Sequence, residues 1–470
     1  MRRVPPGAPI LTADAMRAAE AAALGSGISQ AELMARAGMG VAREVHRHVQ
    51  GRAVLVLAGP GNNGGDAYVA ARLLSQWGHD VMVAALGEAR EGAAAEARHA
   101  WRGPVVALAD APPRAVLVDG VFGTGLTRAI EPSVASILER LRAAARFCVA
   151  IDLPSGIDSD HGVPTGHVLR ADVTAALGAL KPSHLLGVGA SCSGHVSLVD
   201  LRIAVSDRWT TLARPQSLRP ERTAHKFTRG LALVVGGAMA GAARLSAAAA
   251  LRGGAGYVVL AGTDVAIAPL DAIVSRQIAQ ASDLEAFLSE RPVDALCIGP
   301  GLGRDERAQD LLVAAIDSEV RLLIDGDALS LLGENASARL SNRSAPTVLT
   351  PHGGEFDRMF GTGAGSKIDR TLAAARRCGA IVVHKGPDTV IAHPDGRVVV
   401  SAAAPMSLAT AGAGDVLAGL VAGRLATGGN VWAAVAEGAW LHGRAAELAG
   451  AGLVADDLIA HSAEAMQEVW

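Results

Sequence analysis

Three short stretches bring carboxylates, amides and glycines to places where loops follow strands. GPGNNGGDAYVAARLL (Gly59 to Leu74) comes directly after the apolar run AVLVLA, VDGVFGTGL covers Val118 to Leu126, and DLPSGID covers Asp152 to Asp158. Gly59, Gly61 and Gly64 satisfy G-x-G-x-x-G in the strand-then-helix setting of a dinucleotide cradle. Asp66 argues against that reading, because a fixed anion in the first turn of the following helix repels phosphate unless a cation intervenes. Otherwise Asp66 caps the helix and Asn62 and Asn63 simply form the turn. Asn63, Asp119 and Ser155 each offer an oxygen from a separate strand end, a hard donor set suited to an alkali or alkaline-earth ion and not to zinc. Asp152 stands where a strand-end carboxylate can transfer a proton or merely bond loop amides. Lys181, in ALKPSH on the same rim, either assists there or, on the plainer reading, is a solvated lysine.

A different chemistry is written in ATAGAGDVLAGLVAGRLATG, Ala409 to Gly428. Gly412 and Gly414 bare the amides of a helix N-terminus as an anion hole, and Asp415 stands beside it to accept a proton from a substrate hydroxyl. The plain alternative is a Gly-rich turn with a helix-terminus Asp. His352 and Glu355 form H-x-x-E, but without further ligands at metal spacing they do not make a zinc site. Asp325 and Asp327 either shape the pocket or serve as turn carboxylates.

The elements that must hold these groups alternate along the chain. Two helical segments, the first after Thr12 and the second from Ala31, precede strand-helix repeats through RFCVAIDLPSG, which implies a parallel sheet with helical crossovers. Ser206 to Gly230 is charged, Pro-containing and aperiodic, so it reads as a linker, and the pattern restarts with LALVVGG. The 470 residues suit two domains, 1–212 and 213–470. Half the residues are apolar, Gly is abundant at 55, and the net charge of -3 gives no footprint for nucleic acid or an anionic membrane. Four scattered cysteines without C-x-x-C, and no signal peptide or long apolar span, lead to the expectation of a cytoplasmic protein with small-molecule partners.

From about Leu11 to Ile203 the chain resembles the NAD(P)H-hydrate epimerases, through GPGNNGGD, VDGVFGTGL and DLPSGID in that order and through LMARAG, with Ala35 where that family often has an acidic residue. The resemblance implies a Rossmann-like three-layer α/β/α domain in which Asn63, Asp119 and Ser155 ligate K+. It also implies that Asn62, Asn63, Gly64, Gly65, Asp66, Gly123, Thr124, Gly125, Leu126, Thr127, Arg128, Ala129 and Asp152 hold the hydrated nicotinamide nucleotide. Asp152 is then the candidate acid/base for exchange at C6.

From about Leu218 onward the chain resembles the ribokinase-like kinases and, within them, the ADP- or ATP-dependent NAD(P)H-hydrate dehydratases. HKFTRG, IGPGLG, DGDALSLL, TPHGGEF and HKGPDTV carry the likeness, together with AGAARLSAAAALRGGAGYV (Ala240 to Val258). PHGGE has His where sugar kinases have Asn in P-N-x-x-E, and VVVSAAAPMSLAT lacks their G-N-P-G form. The resemblance implies a ribokinase-like α/β domain in which Ala242, Gly301, His352 and Asp415 contact the hydrate, and Lys385, Gly386, Pro387, Asp388, Thr389 and Gly414 contact ADP, with Mg2+. Asp415 is its catalytic base. A homo-oligomer is expected. The competing readings are a vitamin or sugar-alcohol kinase fused to an accessory domain, and an N-terminal binding module without activity.

Overall fold

The computed structural model describes residues 4–89, 91–126, 128–263, 268, 270–402 and 404–470. The chain divides into two compact units, Met1–Thr211 and Leu212–Trp470.

The first unit is built on strands β1 (Val54–Ala58), β2 (Val81–Ala85), β3 (Val105–Ala107), β4 (Val116–Gly120), β5 (Phe147–Ile151), β6 (Val173–Leu177) and β7 (His195–Val199), in the order β3-β2-β1-β4-β5-β6-β7. Every pairing in this sheet is parallel. A short strand, β8 (Trp209–Thr211), ends the unit. Alternation along β1 feeds two cores. Val54, Val56 and Ala58 pack with Val81, Val83 and Val118 on one face, whereas Leu55 and Leu57 pack with Leu117 and Leu138 on the other. The helix Ala13–Gly25 starts at Thr12, whose hydroxyl accepts from Ala15 N, and Gln30–Val49 starts at Ser29 in the same way. Strand order reverses between β1 and β4, so a crevice opens at their carboxyl ends.

The second unit contains β9 (Leu231–Val235), β10 (Tyr257–Gly262), β11 (Ile273–Gln277), β12 (Ala295–Ile298), β13 (Arg321–Ile324), β14 (Thr347–Leu349), β15 (Ile381–His384), β16 (Asp388–Ala392) and β17 (Val398–Ala402). Their order is β11-β10-β9-β12-β13-β14-β15-β16-β17, parallel as far as β15 and antiparallel through the last two pairs. Here too the order reverses, between β9 and β12. The Ala-rich helix Ala240–Arg252 packs on the helix Ala413–Ala426, with Gly419 and Gly423 against its backbone. The segment expected to be a linker is mostly irregular but anchored: Leu212 N donates to Val400 O, Leu218 N donates to Val469 O, and the Leu218 side chain is buried.

The four cysteines are free and buried. Among the described residues, no helix is long and apolar enough to cross a membrane.

Candidate functional site

In the first unit the helix begins at Asn62, with Gly61 as its N-cap, so NNGGD lies within the helix. Asp66 therefore sits in the second helical turn and not the first, as the sequence suggested, and it is buried. The glycines before it are needed for close packing: a Cβ at Gly64 lies 1.8 Å from Gly59 O. Burial holds the Asp66 carboxyl well above the usual carboxylate range, and the charges of Asp152 and Glu20 add to the effect while Lys181 opposes it.

Asp119, at the end of β4, is completely buried. Ser155 N and Ser155 Oγ donate to its two oxygens at 2.8 and 2.7 Å, and Val121 N donates at 3.3 Å. Burial still pushes its pKa up to about 6. Among the described residues it has no cationic partner. Asn63 packs against Gly123, and its Nδ2 is buried without a hydrogen bond. The structure thus gathers Asn63, Asp119, Ser155 and Gly123 at adjoining strand ends. Thr124, Gly125, Leu126, Arg128 and Ala129 continue that loop, and Thr127 lies outside the described residues.

Asp152 follows β5 with φ at 63°, a left-handed conformation that Asp tolerates better than most residues. Lys181 is not solvated as expected: it is buried, and its ammonium donates to Asp152 Oδ1 at 2.5 Å, Leu177 O at 2.8 Å and Ala179 O at 3.2 Å. All three of its donors are thereby used. His184 locks the same corner, because Nδ1 accepts from Lys181 N at 2.9 Å and Nε2 donates to Asp152 O at 2.7 Å. These partners fix a neutral ring with its proton on Nε2.

In the second unit Gly412, with φ at 85°, is the N-cap of Ala413–Ala426 and leaves the first helical amides without a side-chain cap. Asp415 lies in that first turn. Burial, then the neighbouring charge of Asp325, raises its pKa to about 6, against the pull of Lys385. Lys385 Nζ donates to Asp325 Oδ1 at 2.8 Å, and a Cβ at Gly414 would lie 3.2 Å from that nitrogen. Burial weakens the charge on Lys385, but Asp325 outweighs it and the ammonium titrates above its ordinary value. Gly386 and Pro387 turn the chain from β15 into β16, which opens with Asp388 and Thr389, and the turn is held by Gly386 N donating to Thr389 Oγ1 and by Lys367 Nζ donating to Asp388 Oδ1 at 2.7 Å. Gly301 O accepts from Met239 N at 3.0 Å, which brings the Gly301 loop to the start of the helix carrying Ala242.

Residues 232–466 match the family described as NAD(P)H-hydrate dehydratase, and residues 30–183 match YjeF-related protein N-terminus. The bifunctional NAD(P)H-hydrate repair enzyme Nnr of Salinibacter ruber is 36% identical, over 96% of this chain and 95% of its own. The chain belongs to the bifunctional NAD(P)H-hydrate repair enzymes. The Escherichia coli enzyme of the same name is 34% identical, over 92% of this chain and 88% of its own. A solved ADP/ATP-dependent NAD(P)H-hydrate dehydratase from Bacillus subtilis, co-crystallized with ATP/Mg2+, is 27% identical, covers 54% of this chain and 95% of that one, and has a TM-score of 0.47. As a repair enzyme the chain carries both epimerase and dehydratase activity, and a kinase joined to an inactive module is not favoured.

Some residues that the structure brings to these candidate sites carry little signal in the sequence. Nothing in ALKPSH says that Lys181 is buried; the signal was only its place on a strand-end rim. His184 and Glu20 gave no signal beyond that. The H-x-x-E pair is a reciprocal helix cap: His352 Nδ1 accepts from Gly354 N and Glu355 N, and Glu355 accepts from His352 N at 2.9 Å. The His352 ring stays more than half exposed.

Proposed function

We propose that the first unit epimerises (6R)- and (6S)-NAD(P)H hydrate in the crevice after β1, β4 and β5, and that the second unit dehydrates the (6S) form at the expense of ADP. A lone buried carboxylate whose hydrogen-bond partners are all neutral suits a singly charged cation, and Asn63 and Ser155 add neutral oxygens at the adjoining strand ends, so the three would fit K+. When bound, such an ion would supply positive charge to the anionic nucleotide. Asn62 to Asp66 and Gly123 to Ala129 then hold the nucleotide, while Asp152 exchanges a proton with the C6 oxygen. Thr127 is included here on the family resemblance alone.

For dehydration, Asp415 takes the proton from the C6 hydroxyl, and that oxygen attacks the β-phosphorus of ADP with AMP leaving. Phosphate then leaves C6 as a proton leaves C5, and the ring double bond is restored. Gly414 amides and Lys385 receive the phosphoryl charge, Lys385 to Thr389 hold ADP, and Ala242, Gly301 and His352 face the hydrate. Mg2+ would arrive with the nucleotide and would supply positive charge to the transferring phosphoryl group. The carrying observation is the convergence of Lys385 Nζ on both Asp325 and the Gly414 turn, one residue from Asp415. The test is an epimeric hydrate pool incubated with enzyme, Mg2+, K+ and either ADP or ATP. NAD(P)H absorbance should return from both epimers, with AMP and phosphate released from ADP, or ADP and phosphate from ATP. A stable phosphorylated hydrate, or recovery of one epimer only, rejects the scheme.

A further inference from the structure

Two carboxylates in the first unit have opposite surroundings. Asp152 is tied to Lys181 at 2.5 Å and also accepts from Leu177 N at 3.0 Å. A buried ammonium and a backbone N–H thus both donate to it. Asp66 is as deeply buried, yet among the described residues its carboxyl has neither an ion pair nor a side-chain hydrogen bond. The charged groups that bear on it are Asp152, Glu20 on the helix Ala13–Gly25, and Lys181, so two negative charges face one positive charge already committed to Asp152. A carboxyl in that setting keeps its proton. Two buried carboxyls with such different partners divide acid and base roles.

We infer that Asp66 is the general acid of the epimerase reaction and that Asp152, held by Lys181, is its base, which rests on the epimerase reading given above. On the (6R) hydrate the C6–O bond breaks as the ring nitrogen lone pair forms an N1=C6 double bond, and the departing oxygen takes the Asp66 proton to leave as water. Water then adds to the opposite face of C6 and gives up a proton to Asp152. Passage of that proton to Asp66 resets the pair. Nothing is oxidised or reduced, one water leaves and one is taken up, and the proton given by Asp66 is replaced through Asp152. The electronic demand explains why an acid is needed: hydroxide is a poor leaving group and water a good one.

The test compares wild type, Asp66→Asn and Asp66→Glu in steady-state epimerisation of purified (6R) hydrate across pH. Asp66→Asn keeps the shape but has no proton to give. Its kcat should fall by about 10²- to 10⁴-fold, well beyond any change in KM. Wild-type kcat should decline as pH rises and Asp66 loses its proton, the variant should lose that limb, and Asp66→Glu should restore part of the rate. Dehydration of the (6S) hydrate, measured on the same samples, reports that the chain is intact. An Asp66→Asn enzyme with wild-type kcat and pH profile, or one altered in KM alone, overturns the inference. If wild type itself leaves the (6R) form unchanged, the epimerase reading fails instead.

Discussion

Lys181 Nζ lies 2.5 Å from Asp152 Oδ1 in a corner where both residues are buried, and the two come from the ends of neighbouring strands β6 and β5. A buried pair of this kind is costly to break from one side, because the remaining charge loses its partner without regaining water. Lys181→Met should therefore lower the stability of the protein by about 3–5 kcal/mol and abolish epimerisation. Lys181→Met combined with Asp152→Asn should recover much of the stability and none of the activity. Denaturant unfolding of the two variants checks this. Equal destabilisation by both would mean that lost packing, and not the stranded carboxylate, sets the cost.

The dehydratase base has a pH signature. Asp415 titrates at about 6, and only its ionised form accepts the hydroxyl proton, so kcat/KM for the (6S) hydrate should fall as pH drops through about 6. Lys385 lowers that pKa and Asp325 raises it. Lys385→Met should accordingly move the acidic limb to higher pH, besides weakening nucleotide binding, and Asp325→Asn should move it to lower pH. Asp415→Asn should reduce the rate by about 10²- to 10⁴-fold and remove the limb. A limb that stays in place in both neighbouring variants assigns it to another group.

The layout of both sites could be read from the sequence because their signals are local. Glycine turns after apolar runs, with polar residues at the turn, mark strand ends in a parallel sheet, and the structure puts Asn63, Asp119 and Ser155 at such ends. The strands β6 and β7 were harder to see. Val173–Leu177 is short and partly alanine, and His195–Val199 begins with an exposed polar residue at the sheet edge, so neither gives a long apolar run. Lys181 was misread for the same reason: its burial depends on β6 being there to present the Leu177 carbonyl. The division of labour between Asp66 and Asp152 depends on a lysine 29 positions further on than Asp152, which no local pattern encodes.

Two glycines of the first site should behave differently, although the family resemblance groups them. At Gly64 an added Cβ meets the Gly59 carbonyl at 1.8 Å, and the atoms it meets are all backbone of Gly59, which leaves little room to yield. Gly125 has nothing within 4 Å of that position. Gly64→Ala should cost about 1–3 kcal/mol or more and widen the turn before the helix, whereas Gly125→Ala should stay within about 0.5 kcal/mol of wild type. Thermal melts decide the matter, and similar midpoints for the two variants would contradict the packing described for the helix start.

The proposed K+ site has a consequence that does not depend on turnover. Asp119 is completely buried, and the groups that touch it are neutral donors, so an ion bound there relieves an uncompensated charge present only in the folded state. A ligand that binds only the folded protein stabilises it by about 2.7 kcal/mol at a hundredfold excess over its Kd. Potassium chloride should thus raise the melting temperature above that in choline chloride of equal ionic strength. Asp119→Asn keeps a similar shape without the charge and should lose most of that difference. Asp415→Asn, whose altered carboxyl belongs to the second unit, should retain it. If the potassium-dependent shift survives intact in Asp119→Asn, the ion is bound elsewhere, and Asp119 serves only to fasten Ser155 to the end of β4.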